Sequence, residues 1–322
     1  MEHFQKIINI AVLKNHSKDT IKVRNLQPGY LASTGLILFA GILIALTSCR
    51  SGSWTATDET PTRGNISIVV DESFQPLIDS EIYTFTSLYR NAKVTPKYKP
   101  EYDVVNDFMN DSVKVMVTTR PLTENQIQYL RDTLVVARTT RFAHDALALI
   151  TNLENTDTLI NYETVRDIFK GRISSWKEIN PKSKLSGIRV IFDNNKSGNI
   201  RYFRELFQIE GNLGPNFFAV NNNPEVIDFV SRNKDALGII SANWISDRND
   251  SLSMSFIRKI HVLAISQQFV NDGSYYRPYQ GSIFDKSYPF VRRFISFQGK
   301  HLPDWEPDSY SGQQVNRDRG LF

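Results

Sequence analysis

From about Asn65 onward, short apolar runs alternate with longer stretches in which apolar residues recur at helical spacing. Short runs rich in Val, Ile and Leu are typical of buried strands, whereas apolar residues that repeat every three or four positions indicate amphipathic helices. The pattern predicts strands over 66–70, 93–98, 113–117, 145–151, 188–192 and 236–240. It predicts helices over 75–89, 102–110, 161–170, 198–208, 224–233 and 287–298, and a further helix that begins at a cap on Thr123.

This alternation of strands and helices indicates the α/β class. A strand, a helix and a second strand at this spacing form a parallel unit, so each sheet is expected to be mostly parallel and flanked by helices. The length suits two α/β lobes. We predict a first lobe from residues 65–150 and 258–322 and a second lobe from residues 151–257.

The first 49 residues have the pattern of an export signal. Four Lys and Arg residues between positions 14 and 24 precede an uncharged, mostly apolar run at 31–47. A membrane-spanning helix needs about twenty apolar residues, and the densest part of this run, 36–46, is much shorter. A positive flank followed by a short apolar run predicts a signal peptide over residues 1–49.

The apolar run ends in LTSC at positions 46–49, and Cys49 is the only cysteine in the chain. This ending resembles the bacterial lipobox, whose cysteine is lipidated and becomes the first residue of the mature chain. The resemblance implies a lipid anchor at Cys49, with the small and polar residues 50–64 as a tether. Such a protein is held at a membrane of the cell envelope, facing the periplasm or the cell surface. A plain transmembrane anchor with an incidental cysteine is the alternative.

The distribution of charge bears on one class of partner, nucleic acid. The net charge is +4, but residues 1–49 hold five of the 38 Lys and Arg and two of the 34 Asp and Glu. The rest of the chain therefore carries 33 basic against 32 acidic residues. Proteins that bind nucleic acid usually present a clearly basic face. A nearly neutral body argues against nucleic acid as a partner.

The sequence lacks the common catalytic and metal-binding motifs. It contains no HExxH, no GxSxG and no P-loop, and its five histidines are not paired at metal-ligand spacing. The one thiol is assigned to the lipid anchor. We therefore predict a binding protein that needs no cofactor, and not an enzyme.

Three loops between a predicted strand and the next helix carry groups that bind anions. They are DESFQP at 71–76, TTRPLT at 118–123 and DNNKSGN at 193–199. Each combines small polar residues with a helix start, where unpaired N–H groups and the helix dipole favour negative charge. Helix capping by Ser, Thr, Asp and Asn is the alternative explanation for each loop.

Five segments resemble the phosphate-binding component of ABC phosphate importers, in particular its shorter lipoprotein relatives. The resemblance runs from Ile66 to Phe297 and implies a two-lobed, type II-like periplasmic-binding-protein fold that closes over its ligand by a hinge motion. It also implies ABC permease subunits as partners. The segments are VKVMVTTRPLTENQI, FAHDALALITN, LINYETVRDIFKGRISSWKEINP, IRVIFDNNKSGNIRYF and ALGIIS.

The same resemblance implies a set of ligand-binding residues. Ser197 and Gly198 match the Ser-Gly of the family's ligand loop, and Asn199 stands where the family usually has threonine. With the first two loops, and with basic residues that bring positive charge from new positions, the candidates are Ser73, Phe74, Thr118, Thr119, Arg120, Lys196, Ser197, Gly198 and Asn199. Arg201 is a further candidate source of positive charge.

The chain departs from the family's pocket at charged positions. Asp193 stands where the family has an arginine, and an aspartate repels a phosphate dianion. The family's second loop, rich in glycine and serine, corresponds here to KPEY at 99–102. We predict a lipid-anchored solute-binding protein that captures a small anion, inorganic phosphate first, for an ABC importer. The alternative is an envelope interaction or sensor lipoprotein that keeps the scaffold but has lost phosphate binding.

Overall fold

A computed structural model describes Thr60 and residues 62–247, 249–270 and 272–301. The predicted signal peptide, Cys49 and most of the tether lie outside the described residues. The described chain divides into two compact units, and the larger one comprises Ile66–Phe85 and the described residues from Val94 on. In the smaller unit, the backbone N–H of Gly64 donates to the carbonyl of Asn91 at 3.0 Å. None of the helices in the described ranges combines the length and apolar character needed to cross a membrane.

Strands and helices alternate along the described chain. The strands are β1 (Gly64–Asp71), β2 (Ala92–Lys99), β3 (Val115–Thr118), β4 (Val135–Asn152), β5 (Leu159–Ile160), β6 (Arg189–Phe192), β7 (Phe217–Ala219), β8 (Ala236–Ser241), β9 (Ile260–Val262), β10 (Ala264–Ser266), β11 (Tyr275–Tyr276) and β12 (Val291–His301). The helices are α1 (Gln75–Leu88), α2 (Glu101–Met109), α3 (Glu124–Asp132), α4 (Tyr162–Phe169), α5 (Trp176–Ile179), α6 (Gly198–Leu206), α7 (Asn223–Arg232), α8 (Ser251–Ile257) and α9 (Gln280–Phe284). Short 3₁₀ turns at Glu72–Phe74 and Ala242–Ile245 follow β1 and β8.

Most predicted elements are confirmed, with ends that move by one or two residues. The capping box predicted at Thr123 is present, because its hydroxyl accepts from the Gln126 N–H while the Gln126 side chain accepts from the Thr123 N–H. The strand predicted at 145–151 is longer than expected, since β4 extends back to Val135.

One large sheet contains nine strands in the order β2-β1-β3-β12-β4-β8-β6-β7, with β9 paired to β4. Strand β1 pairs with β3 in parallel, and β6 pairs in parallel with both β7 and β8. Between these two parallel regions, β12 and β4 run antiparallel to each other and to their outer neighbours. The predicted α/β class is confirmed, and its parallel pairing lies on either side of an antiparallel centre.

The predicted helix at 287–298 is wrong, because most of this segment forms β12. Apolar residues at positions 290, 291, 294, 295 and 297 repeat at helical spacing, which produced the error. Phe294 packs on Phe74 whereas Ile295 belongs to a separate apolar cluster, so β12 is buried on both faces and its apolar residues do not alternate. The register against β4 shifts at this point, where Phe142 of β4 is the extra residue. The strand pairs with β3 and β4 and so lies inside the sheet.

Two clusters of buried apolar side chains form the core. The larger cluster joins β4, β6 and β8 to α4, α6 and α7, and includes Trp176, Phe203 and Phe290. The smaller cluster joins β1, β3 and β12 to α2 and α3, and includes Val69 and Phe108. Burial of this apolar surface is the main source of stability. It also fixes the strand ends from which the polar loops emerge.

Candidate functional site

Buried polar side chains collect at the carboxyl ends of β1, β3, β6 and β8, together with groups from β4, β12 and the starts of α2, α6 and α7. In open α/β sheets, ligands bind at the carboxyl ends of strands. We call this group the polar cluster. Its buried members are Asp71, Ser73, Glu101, Thr118, Thr119, Asp145, Asp193, Ser197, Asn199, Asn223, Ser241 and Arg292.

The carboxylate of Glu101, the first residue of α2, is surrounded by hydrogen-bond donors. Its Oε1 accepts from Thr118 Oγ1 at 2.9 Å, from Thr119 Oγ1 at 2.6 Å and from Thr119 N at 3.2 Å. Arg201 of α6 donates from Nη2 to Oε1 at 3.1 Å and from Nε to Oε2. We call Thr118, Thr119 and Arg201 the oxyanion cradle. Its donors match the geometry of a bound carboxylate or phosphoryl group.

The donors of the oxyanion cradle determine the protonation state of Glu101. Burial alone raises the pKa of this carboxyl group, because desolvation disfavours the charged form. The hydrogen bonds and charge of Arg201, with the hydroxyls of Thr119 and Thr118, outweigh burial and hold the pKa of Glu101 below its ordinary value. Glu101 is therefore an ion at neutral pH.

The start of α6 contributes a second set of contacts. Ser197 caps the helix, since its Oγ accepts from the Ile200 N–H, and the same hydroxyl donates to Asp193 Oδ1 at 2.6 Å. Asn199 Nδ2 donates to Asp193 Oδ2 at 3.0 Å, while Asn199 Oδ1 accepts from Ser73 Oγ at 3.1 Å. The predicted ligand loop thus directs its hydroxyl and amide donors at Asp193.

Gly198 lies against two carboxylates. A Cβ atom at this position would lie 3.0 Å from Asp71 Oδ2 and 3.0 Å from Glu101 Oε1. Such a contact is tighter than ordinary van der Waals packing allows, and one of the carboxylates would have to move. Glycine lets the helix start approach both carboxylates without that displacement.

Three further carboxyl groups of the site have raised pKa values. Burial raises the pKa of Asp193 to about 6 against the opposing Ser197 hydrogen bond and Arg292 charge. Burial and the charge of Asp193 raise the pKa of Glu72 to about 8, although Glu72 accepts from Asn223 N and Nδ2, each at 3.1 Å. Burial and the nearby charge of Glu101 raise the pKa of Asp71, whose Oδ2 lacks a hydrogen-bond partner within the described residues.

A buried ion pair links β12 to β4. Arg292 Nε donates to Asp145 Oδ2 at 2.8 Å, and Ser241 Oγ lies 2.9 Å from the same oxygen. The Arg292 guanidinium also lies 4.9 Å from the centre of the Phe74 ring, which is within cation–π range. Phe74 in turn packs on Phe294 with ring centres 4.0 Å apart. This pair brings a second arginine into the polar cluster.

The structure brings most of the predicted ligand-binding residues together. Six of them contact carboxyl or amide groups of the cluster, namely Ser73, Thr118, Thr119, Ser197, Gly198 and Asn199. Phe74 lies beneath Arg292. Two candidates lie elsewhere. Lys196 is half-exposed, donates to Asp103 at 2.9 Å and lies over the ring of Tyr102. Arg120 lines an adjacent cavity of about 510 Å³.

Sequence reasoning missed Glu101, Asp145, Asn223 and Arg292 as members of the site. Glu101 lies in the KPEY segment that corresponds to the family's second ligand loop, but an acidic residue is ordinary at a helix start, so it was not assigned to the site. Arg292 was placed on a helix that does not exist. Asp145 did carry a signal, because an acid inside the apolar run FAHDALALIT implies a buried partner.

The acidic groups are not arranged as a metal centre. Within the described ranges, no set of three or more His, Cys, Asp or Glu side chains could hold a metal ion. The arrangement instead binds an oxyanion through hydroxyl, amide and guanidinium donors, and Glu101 supplies that oxyanion.

The chain is similar to proteins of a known family. Residues 55–301 match the family model of a PBP superfamily domain. The phosphate-binding protein PstS of Borreliella burgdorferi is 26% identical over 269 residues, which is 80% of this chain and 89% of that protein. The resemblance to phosphate-binding components of ABC importers, stated from the sequence, is thereby confirmed.

Two solved structures share the fold. A phosphate ABC transporter substrate-binding protein from Clostridium perfringens, solved with bound phosphate, has a TM-score of 0.61 at 19% identity, over 73% of this chain and 86% of its own. An ABC-type phosphate transport receptor from Vibrio cholerae has a TM-score of 0.53 at 20% identity, over 73% of this chain and 87% of its own. With the family model matched along most of its length, this chain belongs to the periplasmic-binding-protein (PBP) superfamily.

Proposed function

We propose that this protein is a solute-binding protein of the bacterial cell envelope that captures a small oxyanion for an ABC importer. Inorganic phosphate is the first ligand to test. The protein acts by binding, without catalysis or a cofactor. Its two lobes, residues 65–150 with 258–322 and residues 151–257, close over the ligand by a hinge motion. A lipid on Cys49 holds it at the membrane, from which it delivers the ligand to permease subunits.

The relatives support the ligand class. The relative from Borreliella burgdorferi is a phosphate-binding protein, and the Clostridium perfringens structure holds bound phosphate. This chain shares their superfamily, and its polar cluster lies at the carboxyl ends of strands, the usual ligand position in such sheets.

The oxyanion cradle is the single observation that carries the proposal. Two hydroxyl groups, a backbone N–H and a guanidinium converge on one carboxylate, that of Glu101. Charge-assisted bonds of this kind are the strong ones, and they fit the oxygens of a phosphoryl or carboxyl group. The cradle holds the carboxylate of Glu101, so the donors of this region are of the kind that bind an oxyanion.

A second function is favoured by the carboxyl groups in the cluster. Asp71, Asp193 and Glu101 are all buried near the positions where the family resemblance puts phosphate contacts. Ionised carboxylates repel a phosphate dianion in a site of low dielectric. An envelope interaction or sensor protein that has lost phosphate binding is therefore the second candidate.

Thermal unfolding of the purified full chain with and without millimolar phosphate, sulfate and small carboxylates separates the two functions. A ligand that binds only the folded state stabilises it by about 2.7 kcal/mol at a hundredfold excess over its dissociation constant. We expect a rise in Tm with an oxyanion that is reduced in Thr119→Val. The control Thr133→Val removes an exposed hydroxyl that bonds only backbone carbonyls, and it should keep the rise. No rise with any anion would favour the second function.

The lipid anchor has its own test. Bacteria that express the wild-type chain or Cys49→Ser are labelled with a radioactive or clickable fatty acid. We expect label on the wild-type protein only, together with release of the variant from the membrane fraction. Equal membrane retention without label would instead support a transmembrane anchor.

A further inference from the structure

We propose that this protein binds an organic phosphate monoester in preference to free orthophosphate, with the phosphoryl group on Arg120 in the cavity beside the filled cradle. This inference rests on the proposed function, since it names the class of oxyanion that the same region takes. It follows from the occupation of the cradle by Glu101, from the cavity next to the cradle and from Arg120, which borders that cavity and has no partner among the described residues.

The cradle is already occupied by the chain itself. Glu101 is 2% exposed, and every donor of Thr118, Thr119 and Arg201 described above points to its carboxylate. A free phosphate ion could enter only if Glu101 left, and this would strip the carboxylate of its buried guanidinium partner. Breaking a buried ion pair from one side is strongly unfavourable. Glu101 therefore acts as a tethered oxyanion that competes with orthophosphate.

Space for a ligand lies next to the cradle and not within it. A cavity of about 510 Å³ is bordered by Glu101 and Arg201 on the cradle side and by Arg120, Lys196 and Arg204. Pockets of 300 to 1,000 Å³ are typical of small organic ligands. Such a volume exceeds what a single phosphate ion needs.

Arg120 is the anion receptor of this cavity. Its Nε is buried without a hydrogen-bond partner among the described residues, and none of the ion pairs between described residues includes its guanidinium. The other cations are engaged, because Lys196 pairs with Asp103 and Arg204 donates to the carbonyl of Gly211 at 2.5 Å. An unpaired guanidinium offers two parallel N–H groups to a phosphoryl group.

The remaining walls suit an organic substituent. Tyr102 is 58% exposed, and Ile200 and Ile209 line the same cavity. Two carboxylates also border it, but Glu205 is paired with Arg201 at 2.6 Å and Glu210 is exposed to solvent, which screens its charge. The phosphoryl end therefore fits at Arg120, with an aromatic or aliphatic group against Ile200 and Ile209 and beside Tyr102.

Calorimetric titration of the purified full chain tests the proposal with orthophosphate, glycerol phosphate and phenyl phosphate as probes. We expect the two esters to bind at least tenfold more tightly than orthophosphate. Arg120→Gln should weaken ester binding at least tenfold. The matched control is Arg172→Gln, which changes an exposed arginine paired with Asp167 and should leave ester binding unchanged.

A second variant tests the role of Glu101 directly. Glu101→Ser empties the cradle, so orthophosphate binding should strengthen at least tenfold and the preference for esters should shrink. Circular dichroism checks the fold, and if this variant does not fold, wild-type selectivity and Arg120→Gln decide the matter.

Orthophosphate binding as tight as the esters, or ester binding unchanged in Arg120→Gln, overturns the inference but leaves the proposed function intact. A wild-type chain that binds oxyanions other than phosphate compounds overturns the inference alone, whereas one that binds no oxyanion overturns both.

Discussion

Glu101 and Glu72 lie in the same polar cluster, yet their surroundings act on them in opposite directions. Glu101 receives two hydroxyls, a backbone N–H and a guanidinium, and its pKa is held below the ordinary value. Glu72 receives only the N–H and amide of Asn223 and faces the carboxyl group of Asp193, so burial raises its pKa to about 8. Burial is common to both groups. The donors, and above all the cation, decide which carboxyl group is an ion.

The cluster therefore contains a permanent anion, Glu101, which we call the fixed ion, and a set of groups that take up protons near neutral pH. Glu101 keeps its charge at any physiological pH. Glu72, Asp71 and Asp193 all have raised pKa values, so they hold protons that an ordinary carboxyl group would release. The cluster therefore carries less negative charge than its five carboxyl groups imply, which helps two arginines to balance it.

The largest loss of stability is expected when Glu101, the fixed ion, loses the guanidinium of Arg201. Arg201→Leu leaves the Glu101 carboxylate buried without a guanidinium, and the free energy of unfolding should fall by about 3 to 5 kcal/mol. Urea denaturation measures the change. Arg232→Leu is the control, since it removes a largely exposed arginine paired at 3.6 Å with Asp228 and should cost less than about 1 kcal/mol. Equal losses in both variants would contradict the assignment of Glu101 as a buried ion.

At Glu72 we expect a gain in stability, because substitution there removes a carboxyl group whose charged form is disfavoured in the folded protein. Because its pKa is raised in the folded state, the folded protein binds the proton more tightly, and this contribution to stability is lost as pH rises from about 4.5 to 8. Glu72→Gln removes that loss, so the variant should gain about 2 kcal/mol relative to wild type between pH 5 and pH 9. Urea denaturation across this pH range measures it. Glu154→Gln, on an exposed side chain, should keep the wild-type profile.

A smaller effect is expected from a single donor of the cradle. Thr118→Val keeps the side-chain shape but removes the hydroxyl that donates to Glu101 at 2.9 Å. A hydrogen bond to a charged group contributes about 1.5 kcal/mol or more, and we expect a loss of this size. Urea denaturation of Thr118→Val beside Thr133→Val, an exposed hydroxyl, checks it. A loss no greater than that of the exposed hydroxyl would mean that the Thr118 bond is not part of the cradle's strength.

The smallest expected effect is at the cap of α6. Ser197→Ala removes both the helix cap and a donor to Asp193, and should cost about 1 kcal/mol. With that donor gone, the pKa of Asp193 should rise further above about 6. Carboxyl carbon chemical shifts followed by NMR titration report this pKa. An unchanged Asp193 titration would show that Ser197 acts only as a cap.

Local sequence patterns predicted most of the fold and part of the candidate site. Apolar runs and helix starts predicted most elements up to Ser241, because each depends on spacing that neighbouring residues carry, and only the short β5, α5 and β7 were missed. The helix predicted at 287–298 was wrong, since β12 is buried on both faces at 294–297 and its apolar residues therefore do not alternate as in a half-buried strand. Six of the predicted ligand-binding residues meet carboxyl or amide groups of the cluster because they stand at strand ends and helix starts.

The sequence by itself determined the α/β class, the order of most elements up to Ser241 and the loops that carry hydroxyl and glycine residues. Only the tertiary structure decided what those loops hold. Arg201 lies a hundred positions from Glu101 along the chain, and Arg292 lies 147 from Asp145. No local pattern encodes such pairs, because they depend on which strands become neighbours in the sheet. The charge state of each carboxyl group follows from those pairs, and so does the occupant of the cradle.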